Sequence, residues 1–292
     1  MFPILLYNNV MREIIFKIDD KNSGLMIRDF LRNFGVSSAL LTKLKQDENG
    51  IKLNGKFAKA IEVLKSGDNL TINIKNSGKM PEKFECENVK VAYNDEDILV
   101  LNKPPLMPVH ESRNHRGDTL ANVAACYMES DCAFRAVYRL DRDTSGLVLI
   151  AKNELAASKL AGKIKKDYYA VISGKFEGRG TIDLPIRRVQ ESIIERGVFD
   201  DGERAITHYE AIKTDGENTL LKLSLETGRT HQIRVHFSHL GAPLLGDTLY
   251  GGNCEKINRQ ALHCKTIYFT HPITHEKITV DSDFPKDFKG LI

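Results

Sequence analysis

The chain has 292 residues, 41% of them hydrophobic, enough to bury a sizeable core in one large domain or two unequal ones. Its net charge of +3 is too small to mark the whole molecule as a polyanion binder, and no run nears the ~20 apolar residues of a membrane-spanning helix. The basic surplus is local: residues 11–80 hold 13 Lys and Arg against 8 Asp and Glu, and the remainder holds 29 against 31. Cys86, Cys126, Cys132, Cys254 and Cys264 form no CxxC pair, and the opening MFPILLYNNVM lacks the basic start and long apolar run of a secretory leader. Reduced thiols in a cytoplasm are therefore expected.

In chain order, REIIFKID alternates as an edge strand. Ser23 is placed to cap a helix through Asn33 that Gly35 ends, and a second helix runs from Ser37 or Ser38 to Lys45. Short strands punctuated by Asn49-Gly50, Asn54-Gly55 and Gly67-Asp68 follow. The segment NSGKMPEKFECE is polar, contains Gly and Pro, and reads as a linker. Beyond it come two strands around an acidic turn at 94–97, a break at Pro104-Pro105, and a helix over TLANVAACYM.

Residues 137–152 read VYRLDRDTSGLVLIAK, a loop dense in charge running into a buried strand. Asn153 is placed to cap a helix to Lys166, KKDYYAVISG returns as a strand, and 182–210 gives short strands and turns without a clear pattern. Leu221, Leu223 and Leu225 alternate as a half-buried strand. Thr230 is placed to cap a helix carrying Ile233, Phe237 and Leu240 on one face, with Arg234 near its edge and Gly241 closing it. Strands mixed with few helices, without regular alternation, indicate an α+β fold.

A charged loop against a core strand is costly unless cations or donors meet its carboxylates, which makes Asp141 a site candidate. The loop RLDRDTSG with its strand LVLIAK resembles the signature of the RluA-type pseudouridine synthases, enzymes that isomerise uridine in structured RNA. ETGRTHQIRVH, unbroken at 226–236, and KKDYYAV agree with the same family. Two positions depart from the pattern: Tyr138 stands where His is usual, and Leu106 where Gly is usual. IKLNGK and KSGDNLTI resemble the small RNA-binding domain named after the ribosomal protein S-four.

The resemblance implies a catalytic Asp141, acting as nucleophile or as base, with Arg234 as its cation and Tyr168 against the target uracil. It implies Ile233 packing on the base and Arg139 filling the gap left by a flipped uridine, with Thr144 also on the substrate and Arg229 touching phosphate or supporting the loop. Asp143, two residues from Asp141 and pointing the other way, is read as bonding the loop backbone, and Tyr169 as facing the core. His231, His236 and His239 lack the spacing of a metal set, and the implied reaction needs no cofactor.

Together these give a small RNA-binding domain over 12–76, a linker over 77–88 and a catalytic domain over 89–292 on a mixed, largely antiparallel central sheet. The implied partner is structured RNA, ribosomal in the first place and transfer RNA in the second. Two rivals remain: a noncatalytic RNA-binding or ribosome-assembly protein on this fold, and an N-glycoside hydrolase, which would release free uracil.

Overall fold

The alternation in REIIFKID becomes strand β1 (Met11–Lys17), followed by α1 (Ile27–Phe34), α2 (Ser38–Gln46), β2 (Ile51–Leu53), β3 (Lys56–Phe57) and β4 (Asn69–Lys75) in a computed structural model describing residues 11–76, 78–128, 132–190, 192 and 194–291. The opening stretch read above for a leader lies outside the described residues. The four strands form an antiparallel sheet in the order β1-β4-β2-β3. Its core joins Ile14, Leu31, Leu40, Ile51, Leu64 and Ile72. Ser37 caps α2, accepting from Leu40 N–H at 3.2 Å. Ser23 caps nothing: α1 starts four residues later, where Ile27 and Arg28 N–H donate to the Glu62 and Ala60 carbonyls instead.

The described residues after β4 carry no helix or strand up to β5 (Lys90–Asn94). It is laid along a short helix, α3 (Leu120–Ala124): Phe84 N–H donates to Asn122 O and Asn122 Nδ2 to Glu82 O, at 3.1 and 2.8 Å. Then come β6 (Ile98–Lys103), β7 (Ser145–Ala151), α4 (Glu154–Leu160), β8 (Lys165–Ser173), β9 (Arg179–Asp183), β10 (Ile186–Arg188), β11 (Arg196–Val198), β12 (Ile206–Thr214), β13 (Asn218–Leu225), α5 (Gln232–His239), β14 (Leu262–Thr270) and β15 (Lys277–Asp281). Nine of these strands make one sheet in the order β5-β6-β7-β14-β8-β13-β12-β9, with β15 also on β14. All pairs are antiparallel except β7 with β14. This is the mixed, largely antiparallel α+β architecture expected from the sequence.

Every residue of β7 is buried, matching its unbroken apolar run. Gly146 makes its approach to β14 feasible: at φ +118, a Cβ would lie 2.2 Å from the Cys264 carbonyl oxygen. Asn153 caps α4 as read, accepting from Ala156 N–H at 2.8 Å. The helix ends at Leu160 and not near Lys166, because Gly162 turns the chain at φ +69 into β8. The unpatterned stretch 182–210 resolves into the end of β9, the β10-β11 hairpin and the start of β12. All five cysteines are free thiols, and among the described residues no helix is long and apolar enough to cross a membrane.

Candidate active site

Asp141 sits on the loop entering β7, and the protein grips that loop from behind at successive residues. Lys103, buried at the end of β6, donates from Nζ to the Pro104 and Arg142 carbonyls at 3.0 and 2.8 Å. Arg259 donates to the Asp143 carbonyl at 3.2 Å, Gln260 Nε2 to Thr144 Oγ1 at 3.2 Å, and Ser145 Oγ meets His263 Nδ1 at 2.9 Å. Arg259 is itself fixed by two bonds to Asp287 near the C-terminus, at 2.7 and 3.0 Å. Holding two main-chain carbonyls and the next two side chains leaves the loop that carries Asp141 with little freedom.

Arg234 brings the cation. It lies in the first turn of α5, where residues 232–237 are all buried, so it is not at a helix edge as read from sequence. Leu240, expected on the apolar face, is exposed instead. The Arg234 guanidinium donates from NH1 to Asp141 Oδ2 at 3.0 Å, and from Nε and NH2 to Asp247 at 2.7 and 2.8 Å. It also lies over the Tyr250 ring, 4.9 Å from the centroid. Burial opposes its charge, but the two carboxylates outweigh burial and raise its pKa above the ordinary value. The second oxygen of Asp141, Oδ1, has no hydrogen bond among the described residues, and the side chain keeps 29% exposure.

That exposure opens on a cavity of about 1670 Å³, lined by Asp141, Tyr168, Ile233, Arg234, Arg139 and Tyr138 among others. Tyr168 on β8 is buried; burial foremost, then Cys264 and the Asp141 charge, push its hydroxyl well above the ordinary pKa. Tyr169 faces away and packs edge-on against Phe284, with centroids 5.1 Å apart. Ile233 is buried in the wall, and Arg139 is exposed at the rim without an ion pair among the described residues. Tyr138 donates its hydroxyl to the Leu147 carbonyl at 2.9 Å and carries Lys166 Nζ over its ring at 4.5 Å. This departure from the usual His is thus tied into the wall of the site.

Three other residues of the loop and cavity wall have protein partners. Thr144 is buried in the cavity wall, and its Oγ1 accepts from Gln260. Arg229 lines the cavity but pairs with Glu203 at 2.6 Å and donates to the Arg204 carbonyl at 3.2 Å, the loop-supporting half of its reading. Asp143 is gripped by Arg142 at 2.7 and 3.0 Å; only its main-chain carbonyl, through Arg259, serves the loop. Thr230 does not cap α5. The cap position is His231, at φ 58, and Gln232 accepts from Arg229 N–H and Thr227 Oγ1 at 3.0 and 2.8 Å.

Of the helix histidines, His236 is held by protein groups, bonding Thr207 Oγ1 and the Leu184 carbonyl at 2.9 and 3.0 Å. Asp95, Asp97 and His271 have a spacing that could enclose an ion, but their oxygens already meet Arg12, Asn153 and Tyr93. Asp247, Tyr250, Lys103, Arg259 and Gln260 were not singled out from sequence as site residues. The available signal for Asp247 was indirect: a buried arginine needs more negative partners than one half-exposed carboxylate, and GDTLYGG offers one in a tight turn close behind α5.

Residues 97–239 match the sequence profile of the family described as RNA pseudouridylate synthase. The chain is 39% identical to the uncharacterized RNA pseudouridine synthase YjbO of Bacillus subtilis, over 92% of this chain and 98% of that protein. It is 34% identical to ribosomal large subunit pseudouridine synthase D of Pseudomonas aeruginosa, over 83% of this chain and 82% of that protein. Among solved structures, human RNA pseudouridylate synthase domain containing 1 superposes with a TM-score of 0.57 at 28% identity, covering 70% of this chain and 86% of that one.

Proposed function

The chain belongs to the RNA pseudouridylate synthase family, and on that premise we propose that it converts specific uridines of ribosomal large-subunit RNA to pseudouridine, with Asp141 as the reacting carboxylate. The observation that carries the role of Asp141 is its divided carboxylate: Oδ2 is neutralised by Arg234 at 3.0 Å, while Oδ1 has no hydrogen bond among the described residues and the side chain lines the cavity. The name of the Pseudomonas relative supports the ribosomal substrate.

The reaction breaks the bond from ribose to N1 of uracil, turns the base and rejoins it through carbon 5. Asp141 acts on the sugar, as nucleophile at C1′ or as base at C2′. Tyr168 and Ile233 hold the uracil against the wall during its turn. A stacked uridine cannot reach Asp141, so the base is flipped out at a cost of a few kcal/mol, and Arg139 at the rim fills the space it leaves. The front unit, residues 12–76 with their surplus of lysine and arginine, docks the RNA electrostatically, and 89–292 carries the chemistry.

Pseudouridine mapping across total RNA from cells with and without this protein, complemented by wild type or Asp141→Asn, tests the reading. Sites that vanish on deletion and return only with wild type support it and name the substrate. Restoration by Asp141→Asn overturns the assigned carboxylate, and loss confined to other RNA classes overturns the ribosomal assignment.

A further inference from the structure

His231 stands at the head of α5 in a backbone conformation, φ 58, that residues other than glycine rarely adopt. Strain of this kind persists where the surroundings hold a side chain in a fixed place. Its ring is nearly buried, with Nδ1 2.8 Å from the Tyr250 hydroxyl and Nε2 3.8 Å from Asp141 Oδ2. We propose that His231 is a positioning residue of the isomerisation: Tyr250 holds it with Nε2–H facing Asp141 Oδ2, so that Oδ1 is the oxygen presented to the substrate. This rests on Asp141 being the reacting carboxylate.

The tautomer is assigned from the donors at hand. The Tyr250 oxygen accepts from the Arg196 N–H at 3.0 Å, and its own proton is assigned to the bond with His231 Nδ1, the acceptor 2.8 Å away. Nδ1 is then an acceptor, and the ring proton lies on Nε2, the nitrogen facing Asp141. A separation of 3.8 Å is longer than a hydrogen bond, and a small turn of the carboxylate closes it; such contacts commonly tighten once substrate is bound. Arg234 already binds the same oxygen at 3.0 Å. Two donors on Oδ2 fix the plane of the carboxylate and leave Oδ1 open.

The arrangement also keeps the ring neutral. Burial foremost, with Arg234 and Arg196, lowers the His231 pKa, while Asp141 and Asp247 oppose the shift without reversing it. A second ring proton would have to enter at Nδ1, against the Tyr250 hydroxyl proton. Tyr250 thus connects the backbone of β11 to the carboxylate through one imidazole.

The test is single-turnover pseudouridine formation on ribosomal RNA extracted from cells lacking this protein. It compares wild type, Asp141→Asn, His231→Gln, His231→Leu and Tyr250→Phe, with ¹⁵N spectra of His231 in the wild-type protein alone. His231→Leu and Tyr250→Phe are expected to slow the step about tenfold at saturating protein, the worth of one hydrogen bond, with RNA affinity changed less than about twofold. His231→Gln, whose amide N–H reaches the same oxygen, recovers most of the rate; both replacements bear the same backbone strain, so their difference isolates the donor. In Tyr250→Phe the acid limb of the rate moves to higher pH, because Nδ1 is free to take a proton, whereas a merely structural loss lowers the rate equally at all pH. A wild-type rate in His231→Leu, equal losses in the Gln and Leu variants, or a ¹⁵N pattern with the proton on Nδ1 overturns the proposal. Absence of pseudouridine with wild type itself overturns the ribosomal-substrate reading, and the ¹⁵N spectrum still decides the positioning geometry.

Discussion

Arg234 and Arg12 have the same immediate chemistry and different surroundings. Each binds one buried aspartate through Nε and NH2, Asp247 in the first case and Asp97 in the second, and each extends NH1 to another carboxylate, Asp141 or Glu96. Around Arg12 the core of the cluster is closed: Asp97, 2% exposed, also accepts from Asn153 at 2.7 Å, and neighbouring Asp95 takes Tyr93 and His271 at 2.6 and 3.0 Å. Around Arg234 one oxygen of Asp141 is left over, facing a cavity. A bidentate arginine is scaffold in both places. The unpaired carboxylate oxygen beside it distinguishes the proposed reaction centre from a clasp.

The Arg12 cluster is a clasp in a literal sense, since it fixes β1 of the front sheet to the β5-β6 turn of the large one. Other contacts cross the same junction. Leu155 of α4 belongs to the front core, and Lys159 lies over the Phe34 ring at 3.6 Å. Burial holds the Lys159 ammonium down to about 8.

The largest effect is expected at Asp247. Asp247→Asn leaves Arg234 buried with one half-exposed partner, at a cost of about 3–5 kcal/mol by chemical denaturation, together with a large loss of pseudouridine formation. Arg12→Met is expected to cost less, about 1–3 kcal/mol, because the side chain is only partly buried. Its turnover rate at saturating RNA should stay near wild type. An Arg12 variant that loses its rate while folded would break the distinction between clasp and reaction centre.

How much of this was legible in the sequence depends on whether a residue's partners are near it in the chain. The apolar run of 147–151, the period-two pattern of β13 and the Ser37 and Asn153 caps are local signals, and the elements formed where they point. Ser23 and Thr230 are equally good cap residues by type. They lost because the first turn of α1 is satisfied by the distant carbonyls of Glu62 and Ala60, and α5 starts from a left-handed His231. Asp141 and Arg234, 93 positions apart, could be joined on paper only through family resemblance. The supports from Asp247, Arg259, Gln260 and Lys103 come from segments whose nearness is set by strand order alone. Leu106 adds a case of its own: where glycine is usual, the chain keeps φ 62 and leaves the leucine exposed, strain that residue type cannot announce.

Lys103 offers a smaller, pH-dependent effect on the reaction-centre side. Burial draws its pKa down from 10.5 to about 7, against the pull of Asp143 and Asp141. Between these values the unfolded chain holds the proton that the folded protein has released, so wild-type stability should rise with pH across that window. Lys103→Met loses the two carbonyl contacts and with them this slope. Denaturation midpoints that still rise by the wild-type amount from pH 7 to 10 would show that another group is responsible.

The smallest effect is expected where the junction's ion pairing is exposed. Lys43 of α2 reaches Glu154 in the first turn of α4, and Arg135 stands 3.7 Å from the same carboxylate. Lys43 is more than half exposed, so solvent screens the pair and holding the long side chain in place offsets much of its attraction. Glu154 also keeps Arg135 and its favourable place at a helix N-terminus when Lys43 is removed. Lys43→Ala is therefore expected to change stability by less than about 1 kcal/mol, and less still in high salt. A loss as large as that of Arg12→Met would mean that charge pairing across the junction, and not burial, sets the strength of the clasp. The contrast with Arg234 would then rest on cavity exposure alone.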